Sequence, residues 1–237
     1  MLRDLHYQLS YSLARDIGDI DLGQSPENAY DRHRERAVWA DIPTHRVTGN
    51  FIYELPFGKG KRYFSAANSV FRAAVAGWEI SGIYSMTSGD FLTPQWTGPD
   101  PTGTAYTTST TPATVTLRPN CLANPNLAQP SVSQWFNLAA FSPPTPGAFG
   151  SCAKGTIKGP GINQFDAGLA KYIPLSERAR LRWEMTATNL LNHPQWSDPD
   201  TNISDRGTAG VISAASGTHS LDQPGSRALR MGIRLEW

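Results

Sequence analysis

The sequence predicts an all-β fold: an antiparallel up-and-down transmembrane β-barrel segment of about six strands, open rather than closed, with long loops on one side. Three observations carry that expectation. In residues 227–237, Leu229, Met231, Ile233, Leu235 and Trp237 take one parity, while Ala228, Arg230, Gly232, Arg234 and Glu236 take the other. Side chains alternate across a strand, so one face is apolar and the other mostly charged. An apolar face for lipid, a charged face for the lumen and an aromatic at the interface are what a membrane barrel strand requires. At about 3.3 Å per residue and a tilt of about 45°, such a strand covers about 25 Å, the height of a lipid-facing band. Second, the same alternation recurs along the chain. Third, the connections between the alternating segments run long, short, long, short, long.

Composition narrows the alternatives. Charged residues are 17% of 237, below the roughly 25% usual for soluble domains. Gly 21 and Pro 18 favour turns over helices. The net charge of +1 argues against nucleic acid as a partner. The longest uncharged apolar run, residues 73–78, is far too short for a transmembrane helix. No signal-peptide pattern opens the chain and no plug domain is visible in it. Cys121 and Cys152 both lie in loop-like sequence, so a disulfide in an oxidising compartment is expected, with two free thiols as the alternative.

Taken in order, residues 3–15 form the clearest strand: Leu5, Tyr7, Leu9, Tyr11 and Leu13 alternate with His6, Gln8, Ser10, Ser12 and Ala14. Residues 16–45 read as a long loop. Residues 46–55 alternate again, with Val47, Gly49, Phe51 and Tyr53 against Arg46, Thr48, Asn50 and Glu54. A turn begins at Pro56, and residues 65–76 predict a short helix; this connection is longer than a barrel needs on its short-turn side. Residues 78–87 set Trp78, Ile80, Gly82, Tyr84 and Met86 against Glu79, Ser81, Ile83 and Ser85. Residues 88–162 read as one long irregular loop. Residues 163–172 and 178–190 are the next strands, the second with Leu181, Trp183 and Met185 against Arg180, Arg182 and Glu184. Residues 191–226 are loop, with a short strand expected near Val211. Residues 227–237 end the series.

The order of several short motifs carries a family resemblance. They are Val47-Thr-Gly-Asn-Phe-Ile-Tyr-Glu-Leu-Pro-Phe-Gly58, Gly77-Trp-Glu-Ile-Ser-Gly-Ile-Tyr84, Ser88-Gly-Asp-Phe91, Trp135-Phe-Asn-Leu-Ala-Ala-Phe141, Gly159-Pro-Gly161 and Asn189-Leu-Leu-Asn-His-Pro194. From about residue 3 to 237 the chain resembles the carboxy-terminal part of a TonB-dependent outer-membrane receptor of the Oar-like subgroup. The resemblance implies the last six strands of about 22, in a bacterial outer membrane. It implies import of a nutrient captured by extracellular loops, with a plug moved through the TonB system. The implied partners are outer-membrane lipid, the missing amino-terminal barrel and plug of the same receptor, TonB indirectly, and an unknown nutrient ligand. The implied chain is neither an enzyme nor a cofactor carrier.

No catalytic pattern competes with that reading. His6, His33, His45, His193 and His219 do not pair at metal-ligand spacing; His33 near Glu35 is a single pair in a charged loop. Asp198, Asp200 and Asp205 lack the Gly and terminal Glu of a calcium loop. Gly58-Lys59-Gly60 lacks the GK[ST] element of a phosphate loop. More informative are Arg46, Glu54, Glu79, Arg180, Arg182, Glu184, Arg230, Arg234 and Glu236, which share the lumen parity. They read as a hydrogen-bonded wall, or as a surface for a polar solute. Trp96, Trp135 and Trp196 in the long loops serve loop packing or ligand stacking. The rival from another class is a soluble extracellular β-sandwich carbohydrate-binding module, which explains the Trp, Gly and Thr content but not an apolar face repeated from strand to strand.

Overall fold

The computed structural model describes residues 4–19, 26–28, 30–40, 42–98, 117–215 and 226–237. Residues 1–3, His219 and parts of the three long connections lie outside the described residues. The main element is a six-stranded sheet of β1 (Leu5–Leu13), β2 (His45–Glu54), β3 (Trp78–Thr87), β4 (Ile162–Pro174), β5 (Arg180–Thr188) and β6 (Ala228–Glu236). Every strand is antiparallel to the next, and spatial order equals chain order. β1 and β6 are therefore the open edges. Because direction reverses at every strand, the connections after β1, β3 and β5 share one rim. The shorter ones, after β2 and β4, share the other.

Register joins the six apolar faces into one. Leu5 opposes Tyr53, Tyr53 opposes Ile80, Ile80 opposes Leu169, Leu169 opposes Met185 and Met185 opposes Met231. One row of large apolar side chains thus crosses the whole sheet. A slip of one residue in any strand would turn its apolar set to the charged side, so a uniform face pins the register. Gly82 interrupts the neighbouring row. A side chain there would overlap the Phe51 ring, which lies over the gap together with Phe165.

Nothing among the described residues packs as a second layer on this face. Tyr7, Leu9, Met231 and Ile233 are each more than 70% exposed. A soluble β-sandwich buries its apolar face against a facing sheet. That rival reading fails on this observation.

The densest hydrophobic core lies elsewhere, in the long connections. Phe136, Ala140, Phe141, Cys152, Ile157 and Ile203 form it, with Leu92, Cys121, Trp135 and Leu138 packed around. The expectation of an irregular loop over 88–162 is corrected here. Short pairings organise its described parts: Phe91–Leu92 with Ile157–Lys158, Asn120–Cys121 with Phe141–Ser142, and Asn126–Ser131 with Gln134–Phe136. The two- and three-residue strands are too short to show periodicity, and Asn126–Ser131 contains a proline and no apolar alternation, so the sequence carries no signal for them. The short strand expected near Val211 does not form. Val211 instead closes a turn on Thr208, and Ile212 donates to the Val132 carbonyl. The predicted short helix is present as α1 (Ser69–Val75), capped by the Asn68 side chain accepting from the Phe71 amide at 2.8 Å.

The motifs that carry the resemblance are scaffold. Asn189, 1% exposed and at φ 47°, accepts from the His193 amide and donates to the His193 carbonyl, while its own amide donates to Asp166. Trp135–Phe141 supplies the loop core. Ser88–Phe91 and Gly159–Gly161 lie backbone against backbone, close enough that a side chain at Gly89 would overlap the Gly159 carbonyl.

Candidate functional site

All nine charges read as one parity do share the polar face of the sheet. They divide into two groups. At the short-turn end, Arg180 pairs with Glu236 at 2.5 Å, and Arg182 lies 3.1 Å from Glu184. Both arginines lie over the Tyr172 ring, at 5.2 and 5.5 Å. Arg182 stands opposite Arg234, and Glu54 opposite Glu79. Like charges placed opposite one another repel, so each needs a counter-charge. Lys61 supplies one for Glu54, reaching its carboxylate at 3.2 Å and Asp4 at 3.0 Å. The hydrogen bond to Asp4 raises the Lys61 pKa above its ordinary value. Towards the long-loop end, Arg46 and Arg230 lie on β2 and β6, with three strands between them. The structure does not bring those two together.

Between these groups the polar face is shallower. A cavity of about 370 Å³ is lined there by Asn50, Ile52, Ile83, Asp166, Thr186 and Arg230 among others. Ile52 and Ile83 are 48% and 55% exposed, two large apolar side chains on a mostly polar face. Asp166 has the same parity as the nine charges, so the signal that marked them also marks it, although the sequence reading did not single it out. It accepts from Gln164 at 2.8 Å and from the Asn189 amide at 2.7 Å.

Above the long-loop rim sits a feature with no local signature. Glu27, Glu35 and Arg118 are each about 2% exposed or less. Arg118 donates to Glu27 at 2.7 and 3.0 Å, to Glu35 at 3.1 Å and to the Arg34 carbonyl at 3.1 Å. Arg34 adds a bond to Glu27 at 3.2 Å, and Lys154 lies 3.3 Å from Glu35. Buried charges are tolerated when paired and hydrogen-bonded, as Glu27, Glu35 and Arg118 are. The cluster ties the connection after β1 to the connection after β3. Cys121 and Cys152 are bonded to each other, with Cα atoms 4.8 Å apart, three residues from Arg118. The network was illegible because its charges are up to 127 positions apart, from Glu27 to Lys154.

The remaining candidates are accounted for locally. Trp135 donates its indole N–H to the Lys158 carbonyl at 2.8 Å. The Trp96 amide donates to Leu117, and Trp196 bridges to Ala215. Asp200 accepts from Thr208 and Asn202, and Asp205 from Gly207. His45 bonds Tyr11 at 2.9 Å on the apolar face. Among the described residues no three His, Cys, Asp or Glu side chains are arranged to hold a metal ion.

An uncovered apolar face, a charged opposite face and long connections gathered at one rim define a class. Residues 1–230 match the family model described as outer membrane beta barrel domain. The chain belongs to that outer-membrane β-barrel family. No curated protein and no solved structure matches the chain. As a member, this barrel chain resides in the bacterial outer membrane, its apolar face against lipid. In barrels of this membrane the short turns lie on the periplasmic side and the long loops outside; here the long connections form a crown at one rim of the sheet.

Proposed function

We propose that the chain forms wall and extracellular loops of a TonB-dependent receptor that binds a nutrient and imports it. The observation that carries this reading is the crown. A buried ionic cluster locks two of its connections together, and a disulfide closes one of them, above a wall of charges on the lumen side. A passive scaffold has little use for loops held so rigidly, whereas ligand capture benefits from loops ordered in advance. The order of the resembling motifs supports the receptor subgroup. The nine wall charges hold strands and plug in register and offer hydrogen bonds to a polar solute passing between them. The two open strand edges require partners, because unpaired backbone groups in hydrocarbon cost several kcal/mol each. We assign those partners to further strands of the same barrel, and the space beside the wall to a plug. The action is binding and passage, with no chemical transformation and no cofactor.

The test is uptake. Cells with and without the gene are supplied with a panel of labelled nutrients too large for porins. The receptor reading expects uptake of at least one to need the gene, TonB and the proton gradient together. Uptake that depends on the gene but survives loss of TonB would remove the TonB-dependent assignment.

A further inference from the structure

The connection between β2 and β3, residues 56–77, is longer than a periplasmic turn requires, and its surface is unusual. Val70 is 81% exposed, Phe64 48%, Tyr63 46% and Phe71 45%. Phe64 sits edge-on between Phe57 and Phe71, with ring centroids 5.5 and 5.4 Å away, and holds φ at 57°. A bulky residue rarely adopts that left-handed region, so the surrounding turn over-determines its position. The same 22 residues carry Lys59, Lys61, Arg62 and Arg72 and no acidic residue. Lys61 is engaged by Asp4 and Glu54, and Lys59 and Arg62 are exposed at the tip.

Two side chains fix where this connection lies. Lys171 and Trp78 are register partners on the apolar face, at its short-turn end. The Lys171 ammonium donates to the carbonyls of Ala73, Ala74 and Ala76 at 3.0, 2.7 and 3.0 Å, and the Trp78 indole donates to Ala74 at 2.9 Å. Lys171 also lies 4.7 Å from the Trp78 ring, which packs edge-on against Trp183 at 6.0 Å. A lysine of lipid-facing parity thus bends to the rim and holds the last turn of α1 on the outer side of the wall. The exposed apolar residues of the connection are continuous with the lipid-facing surface, at the depth where aromatic girdles lie.

We infer that residues 56–77 are a membrane-surface foot. α1 lies in the headgroup layer of the periplasmic leaflet, Phe64, Val70 and Phe71 enter the acyl boundary, and Lys59 and Arg62 meet lipid phosphates. The occupant is an anionic phospholipid surface. Continuity with the lipid-facing wall argues for lipid, and an all-basic connection argues for anionic headgroups. The foot rests on the membrane-wall reading and goes beyond it, since a wall needs no such connection.

The test uses single-cysteine variants expressed at the native locus, so that the chain sits in the assembly the cell builds. Val70→Cys, Ile233→Cys and Glu177→Cys are labelled with an environment-sensitive fluorophore, the native cysteines being held in their disulfide. The extracted assembly is returned to vesicles of phosphatidylethanolamine and phosphatidylglycerol containing phospholipid spin-labelled near the headgroup, or, for the reading at position 233, along the acyl chain. Position 70 should be quenched several-fold more than position 177, which lies in the other short turn. Lys59→Gln with Arg62→Gln should weaken quenching at 70 and leave 233 unchanged, the second reading showing that the barrel is still inserted. Quenching at 233 without quenching at 70 overturns the foot alone, whether water or another protein covers the helix. Absence of quenching at 233 overturns the wall reading and the foot with it. Equal quenching at 70 when phosphatidylcholine replaces phosphatidylglycerol overturns the anionic assignment.

Discussion

Ile233 and Gly232 are neighbours in β6 and look in opposite directions. Ile233 is 72% exposed on the lipid side, opposite Trp183, whereas a side chain at Gly232 would meet the flexible end of Glu184. Ile233 lies near the middle of β6, and Ile233→Arg should destabilise by roughly 2–4 kcal/mol. Gly232→Arg should be tolerated far better, because it gains Glu184 as a counter-ion. Equal midpoints of the heat-modified band for the two variants would contradict the assignment of faces. Arg118 makes the reciprocal case for burial. Arg118→Met leaves Glu27 and Glu35 facing each other with Arg34 and Lys154 alone, and removing one partner of a buried ion pair typically costs about 3–5 kcal/mol. The loss should be confined to the crown. Hydrogen exchange should rise in residues 26–40 and 117–158, with the strands unchanged; no change in the crown would show that the cluster does not hold it.

At the scale of elements, the disulfide and the foot are each held by a backbone constraint. Cys121 and Cys152 are 31 positions apart, so closing that loop stabilises by about 3–4 kcal/mol in the chain-entropy model. Alkylated, unreduced membrane material should therefore show no free thiol by mass spectrometry, and two alkylated cysteines would reject the bond. Gly77 ends α1 at φ 72°, where a side chain would overlap the Tyr172 carbonyl of β4. Gly60 holds φ 74° with open space around it. Both replacements by Ala carry the left-handed penalty of about 1–2 kcal/mol. Gly77→Ala adds a backbone clash and should lower the thermal midpoint clearly more than Gly60→Ala; equal shifts would mean that the connection is not docked against β4.

For the whole molecule the decisive quantity is the pair of open edges. β1 and β6 each present a row of backbone donors and acceptors without a partner in the sheet, and closed barrels begin at about eight strands. Six strands with both edges unpaired in hydrocarbon lose several kcal/mol per unsatisfied group, more than a domain's whole stability. The 237-residue polypeptide expressed by itself should therefore aggregate in water and give no heat-resistant folded band in detergent. A monodisperse monomer with cooperative unfolding and no detergent would overturn the membrane reading.

Strand positions, their order along the chain and the two-faced sheet were legible in the residues alone. A period of two needs no knowledge of distant contacts, and a largely apolar parity fixes which face of each strand is the apolar one. The expected boundaries needed only small changes, such as 163–172 becoming Ile162–Pro174 and 178–190 becoming Arg180–Thr188. The charges of the wall followed from the same parity. Which of them meet did not: Arg180 finds Glu236, and Arg182 faces Arg234, only once the turn after β4 and the long connection after β5 set the strands side by side. Of the crown only the disulfide was legible in the sequence; the rest was decided by tertiary structure. Its strands are too short or too irregular for periodicity, and Glu27, Glu35, Arg118 and Lys154 are neighbours in space alone. Burial, which makes their pairing obligatory, belongs to the folded loops and not to any stretch of sequence.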